Sequence, residues 1–126
     1  MEVFYIKIRV KGYLKNITEN TEEIIETNAI KNKNKITYKN NETSYKIETS
    51  NNKLIMIRDN QEFSHKFIFD IDNITKSEYY IKELNTSIDV KIKTIELYQT
   101  NKQIKIIYEI IENKNKYIYI LDLEWI

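Results

Sequence analysis

His65 is the one histidine of this 126-residue chain, and it lies in the run Phe63-Ser64-His65-Lys66-Phe67. An imidazole among aromatic residues of matching parity could touch a ligand or move a proton. The structural alternative is a packed ring satisfied by a backbone or tyrosine partner. No serine or cysteine stands at a recognisable spacing from it, so a catalytic triad has no basis. Arg58 is one of two arginines among 20 basic residues. It shares alternation with Leu54 and Met56, which predicts an inward side chain. An inward guanidinium needs a carboxylate, from the protein or from a bound anion. Asp70 with Asp72, and Asp122 with Glu124, repeat at every second residue. Such pairs sit roughly 6–7 Å apart at Cα, a spacing that acid–base work could use. The structural alternative for these pairs is a solvated strand face, which the alternation of Asp122 and Glu124 with apolar residues resembles. Asp70-Ile71-Asp72-Asn73 opens like a calcium loop but fails at Ile74, and no glycine follows.

Tyrosine supplies further candidates. Tyr5, Tyr38, Tyr45, Tyr98, Tyr108, Tyr117 and Tyr119 all fall in strand-like runs, where rings line a cavity, stack on bases or build the core. Lys7, Arg9 and Lys11 form one basic row, and Lys31, Lys33, Lys35 and Lys39 a basic run. Rows of this kind serve single-strand binders. A net charge of +1, with acids interleaved, disfavours nucleic acid as a partner.

Composition excludes several chemistries. Without cysteine there is no disulfide, thiolate site or cysteine nucleophile, and one histidine excludes a two-histidine metal site. The single glycine, Gly12, excludes a P-loop and a GxGxxG fingerprint. No run free of Asp, Glu, Lys and Arg exceeds five residues, so no membrane-spanning helix or signal-peptide core is expected. No cofactor, metal or membrane partner is expected. A reducing, cytoplasmic bacterial setting is.

The elements that must position these residues are strands. Isoleucine occurs 25 times and alanine once, and ten tyrosines and ten threonines accompany them. β-Branched and aromatic side chains suit a pleated, half-buried surface. Period-two alternation recurs throughout. Phe4, Ile6, Ile8 and Val10 share one face of a first strand, and a second lies near 24–29. Ile36 with Tyr38, Tyr45 with Ile47, 54–58 and 63–69 mark the next four, and 78–82 a seventh. Ile88, Val90, Ile92 and Thr94 open a long eighth strand whose register slips before Leu97, which predicts a β-bulge. Ile104 to Ile110 and Tyr117 to Trp125 complete the set. Asparagine makes the turns, since it tolerates the left-handed conformation that tight hairpins need. A helical turn over 18–25 is the one alternative to strand. Ten or so sequential strands would leave two exposed edges, and closure removes them. The chain is therefore expected to be all-β: one domain spanning 1–126, an antiparallel meander closed into a barrel of about 8–10 strands.

The order of features resembles the YwiB-like family of bacterial proteins of unknown function, which have a lipocalin-like (calycin) β-barrel. The likeness rests on "KITYKNNE", where Tyr38 and Glu42 match a family tyrosine and acidic residue, and on "LIMIRDNQ", a strand ending in Arg58. "HKFIFD" aligns Phe69, and "EYYIKELNTSIDVKIKT" aligns Tyr80 (or Tyr79) and Thr94. "QIKIIYEI" supplies Tyr108. Asn60 and Glu83–Asn85 stand where the family has glycine-containing turns. The resemblance implies a barrel able to hold a small ligand and no established reaction.

The leading expectation is a non-enzymatic barrel that binds a small apolar or amphipathic ligand, with Arg58, His65, Tyr38 and Tyr108 as ligand-binding residues. The alternative is an interaction or self-association module, a homodimer for instance, using outward apolar positions Ile107, Ile111, Ile118, Ile120 and Ile126. Nucleic-acid binding is the weaker alternative.

Overall fold

A computed structural model describes residues 5–125, so the positions expected of Phe4 and Ile126 lie outside it. Ten strands follow one another: β1 Ile6–Asn16, β2 Thr21–Asn32, β3 Lys35–Asn40, β4 Thr43–Ser50, β5 Lys53–Asp59, β6 Phe63–Asp70, β7 Thr75–Ile81, β8 Thr86–Gln99, β9 Gln103–Ile110 and β10 Asn115–Trp125. Each pairs antiparallel with its sequence neighbour, and β1 pairs with β10 to close the barrel. The seam runs from Ile8 opposite Trp125 to Asn16 opposite Tyr117. Closure leaves no terminal strand with unpaired backbone groups.

Turn chemistry follows from the scarcity of glycine. Asn20, Lys33, Asn41, Glu42, Asn52, Asn85 and Lys114 adopt positive φ. Asn41 and Glu42 do so consecutively between the paired residues Asn40 and Thr43, the type I′ geometry whose twist matches that of its strands. Residues 17–20 form a turn, and β2 begins at Thr21 rather than near Ile24. No helical turn forms there, because Thr21, Glu22 and Glu23 pair with Asn16, Lys15 and Leu14 of β1. The register slip in β8 lies between Thr94 and Glu96. It leaves Ile95 on the outer surface and returns Leu97 to the packed interior.

Inward residues from all ten strands fill the barrel. Ile8, Ile25, Ile36, Leu54, Phe69, Ile92, Ile106, Tyr119 and Leu121 are almost wholly buried. Two seams are short. β2 and β3 pair only over Ala29–Asn32 and Lys35–Tyr38, and Asn40 Nδ2 spans the gap beyond by donating to Ile24 O at 3.1 Å. β6 and β7 pair only over Phe63–Lys66 and Glu78–Ile81. There Ser77 Oγ donates to Lys66 O at 2.6 Å, Thr75 Oγ1 donates to Ile68 O, and Asp70 N donates to Thr94 Oγ1 at 3.1 Å. Hydroxyl and amide side chains thus satisfy backbone groups that the ladder leaves unpaired.

Some outward positions on the last strands are apolar, between Lys105, Glu109, Lys116, Asp122 and Glu124. Ile107 and Ile118 face each other across β9 and β10, and Ile120 lies opposite Tyr13 of β1. All four are half-buried.

Candidate functional site

The barrel has two ends. The turns at 17–20, 41–42, 60–62, 82–85 and 111–114 form what is called here the upper end. Just inside it, Tyr38, Tyr45, Arg58, His65 and Tyr79 stand directly opposite one another on β3 to β7, one per strand. Each has the inward parity of its strand, so one cross-strand row brings Tyr38, Arg58 and His65 together. Tyr108 joins from β9, on another part of the wall, with its ring 4.9 Å from Phe69 and 5.0 Å from Tyr117.

Arg58 finds its carboxylate in Glu23 of β2, with Nη2 3.6 Å from Oε1. Tyr45 bridges the pair: its hydroxyl donates to Glu23 Oε2 at 2.7 Å and accepts from Arg58 Nε at 3.2 Å. Asn40 Nδ2 also donates to Glu23 Oε2, at 3.1 Å. The guanidinium carbon lies 5.4 Å from the Tyr45 ring centre and 5.5 Å from that of Phe63, within cation–π range. Burial alone would lower the arginine pKa, but the Tyr45 oxygen that accepts from Nε and the Glu23 carboxylate outweigh it and hold the charge.

Beside this network Tyr38 and Tyr119 share a 2.6 Å hydroxyl–hydroxyl hydrogen bond, and the Tyr38 ring stacks on Tyr45 at 4.6 Å. Burial pushes the pKa of Tyr38, Tyr45, Tyr108 and Tyr119 upward, so all four stay protonated and able to donate.

His65 is 7% exposed and bonds through Nε2 to Ser77 Oγ at 2.7 Å. The serine has one hydroxyl hydrogen, and Lys66 O receives it. Nε2 must therefore carry a hydrogen and donate to the serine, which leaves the lone pair on Nδ1. This polarity is the reverse of the one that activates a serine nucleophile. Burial, and secondly the Arg58 charge, lower the His65 pKa to about 4. The unfolded histidine titrates near 6.5, so between those values the unfolded chain binds the extra proton. Stability is then expected to fall by about 2–3 kcal/mol as pH drops from 6.5 to 4. Urea melts of His65→Gln across that range check this. An acid limb as steep as that of the wild type would exclude His65 as its source.

Asp70 is buried at the β6–β7 turn rather than lying on a solvated face. Its carboxylate accepts from Asp72 N at 3.0 Å and Asn73 Nδ2 at 3.1 Å, and these bonds lower its pKa. It is a turn former, with Lys53 Nζ 3.7 Å from Oδ2. Asp122 and Glu124 are exposed on β10. Among the described residues no group of three or more His, Cys, Asp or Glu could hold a metal.

A cleft of about 340 Å³ opens at the upper end, lined by Leu14, Asn16, Glu19, Glu22, Glu23 and Tyr117. A second, of about 530 Å³, lies in the wall where β2 and β3 part. A third, of about 710 Å³, covers Ile36, Ile104 and Leu123 at the lower end. At its edge Gln99 Nε2 donates to Ser50 O at 2.6 Å and Lys53 O at 3.4 Å, a strap between two turns. The upper cleft touches the Arg58 network at Glu23, and the wall cleft is lined by Tyr38 and Tyr45 of the row itself. Sequence reasoning gave Glu23 no role, yet it shares parity with buried Ile25 and so points inward.

No family profile and no curated protein sequence matches this chain. Its structure is similar to the crystal structure of ywiB protein from Bacillus subtilis, with TM-score 0.67 and 14% sequence identity over 98% of this chain and 92% of that one. The two proteins share a fold.

Proposed function

We propose that the protein is a non-catalytic barrel that binds a small, partly apolar molecule at its upper end. The observation that carries this reading is the cluster of Glu23, Tyr45 and Arg58. It is enclosed by aromatic walls, yet the Arg58 and Glu23 side chains remain 19% and 28% exposed at the mouth. A site with an apolar body and a few converging polar groups is the usual form of a small-molecule pocket. The likeness in fold to ywiB supports membership of the YwiB-like family, and the closed antiparallel meander supports a calycin grouping. Absence of cysteine supports a reducing, cytoplasmic setting.

Diphenylhexatriene, an uncharged hydrocarbon fluorophore, tests the reading. Its fluorescence is expected to rise saturably at one site per chain. Thr21→Trp, an exposed change at the rim, is expected to weaken binding about tenfold or more. Absence of saturable binding, or binding indifferent to the tryptophan, would overturn the proposal.

A further inference from the structure

The wall cleft of about 530 Å³ differs in chemistry from the upper end. Lys7 of β1 lies opposite Ile30 of β2, Ile30 opposite Thr37 of β3, and Thr37 opposite Lys46 of β4. One outward row thus sets a lysine on either side of the cleft. Lys39, the next outward residue of β3, adds a third at its lining. All three lysines are exposed, and none is ion-paired among the described residues. No acidic residue lines the cleft. The flanking carboxylates of Glu26 and Asp59 are taken by Arg9 and Lys82, at 3.1 Å and 2.9 Å, and Glu48 stands opposite Lys35.

The parting of β2 from β3 adds neutral donors. Two residues join these strands, so hydrogen-bonded pairs recur at every second position from Asn32 opposite Lys35. Asn28 and Lys39 would form the next such pair but one, and pairing stops before it, at Ala29 opposite Tyr38. Their backbone N–H groups therefore face the gap without a strand partner. Asn40 Nδ2 donating to Ile24 O, on the same edge of β2, agrees with this alternation. Ala29, Tyr38 and Tyr45 give the cleft an apolar wall.

Cations without counter-ions, free N–H groups and an apolar wall together describe a ligand. We infer that the wall cleft is a second binding site, for a small organic oxyanion: a carboxylate, sulfonate or phosphate on an aromatic or aliphatic body. Lys7, Lys39 and Lys46 meet its charge, and the parted backbone N–H groups meet its oxygens. A net charge of +1 and the flanking acids confine the attraction to the cleft, which suits a small anion over a nucleic-acid strand. The site stands whether or not the upper end is occupied.

Fluorescence titration with anilinonaphthalene sulfonate, and with phenylnaphthylamine, which has the same rings and no sulfonate, tests this. The sulfonate is expected to bind saturably at one site per chain, and more tightly than the neutral amine. Lys39→Gln together with Lys46→Gln is expected to weaken the sulfonate about tenfold. Lys66→Gln together with Lys93→Gln removes the same charge from exposed positions on β6 and β8, and is expected to change binding by less than about twofold. Thr21→Trp at the upper rim is expected to leave it unchanged. Both lysine pairs are exposed, so melting temperatures are expected to match wild type. Absence of saturable binding, equal losses from the two lysine pairs, or an amine that binds as tightly as the sulfonate would overturn the inference. So would loss of sulfonate binding in Thr21→Trp, which would place the anion at the upper end. If diphenylhexatriene fails to bind while the sulfonate behaves as expected, the upper-end reading alone falls.

Discussion

Gly12→Ala is expected to destabilise the barrel by about 3 kcal/mol or more, the upper range for overpacking. An added Cβ would stand 1.8 Å from Ile120 O, 2.7 Å from its carbonyl carbon and 3.0 Å from Leu121 Cα. All three are backbone atoms, so no rotamer change relieves the clash. Gly12 lies mid-strand in β1, opposite Leu121 of β10 and Ile25 of β2. The only escape is to part β1 from β10, which is the seam that closes the barrel. Close backbone approach is a standard reason for glycine within a strand. Thermal unfolding is expected to shift down by roughly 10 °C or more. A variant melting within two or three degrees of wild type would show that the seam has slack and that Gly12 has another role.

Arg58→Met is expected to cost about 2–3 kcal/mol, below the range for a fully buried pair because both partners keep some solvent contact. The loss has three parts. Glu23 loses its cation, the Tyr45 hydroxyl loses a donor, and the stack over Tyr45 and Phe63 loses its charge. Adding Glu23→Gln to Arg58→Met is expected to restore about 1 kcal/mol or more, since the unpaired carboxylate goes. Strict additivity of the two changes in denaturant melts would mean that the pair is uncoupled. His65 reports on the same change. With Arg58 gone its pKa is expected to rise from about 4 while staying below the free value, because burial, the larger cause, persists. With one histidine in the chain, its ring resonance can be titrated without ambiguity. An unmoved midpoint would show that the arginine does not act on it.

Much of this molecule is legible along the chain. Alternation assigns Tyr38, Arg58, His65 and Tyr108 to inward faces, and the slip after Thr94 appears as a register shift in β8. Asparagine marks the hairpins, and positive φ recurs at Asn20, Asn41, Asn52 and Asn85. Asp70 is different. Its spacing from Asp72 suggests a strand face, whereas a short β6–β7 seam lets the turn fold over it. Glu23 escaped notice because it lies in an acidic run that looks solvated, although its parity points inward.

Side-chain alternation is a local property: successive residues of a strand point to opposite faces, whatever the strand pairs with. The sequence by itself therefore determined the all-β meander, the inward set and the turn positions. Which inward residues meet across the barrel depends on the stagger accumulated over ten strand pairs, including the seam from β1 to β10. That stagger decided the meeting of Glu23 with Arg58, the pairing of Tyr38 with Tyr119 from 81 residues away, and the absence of room for a methyl group at Gly12.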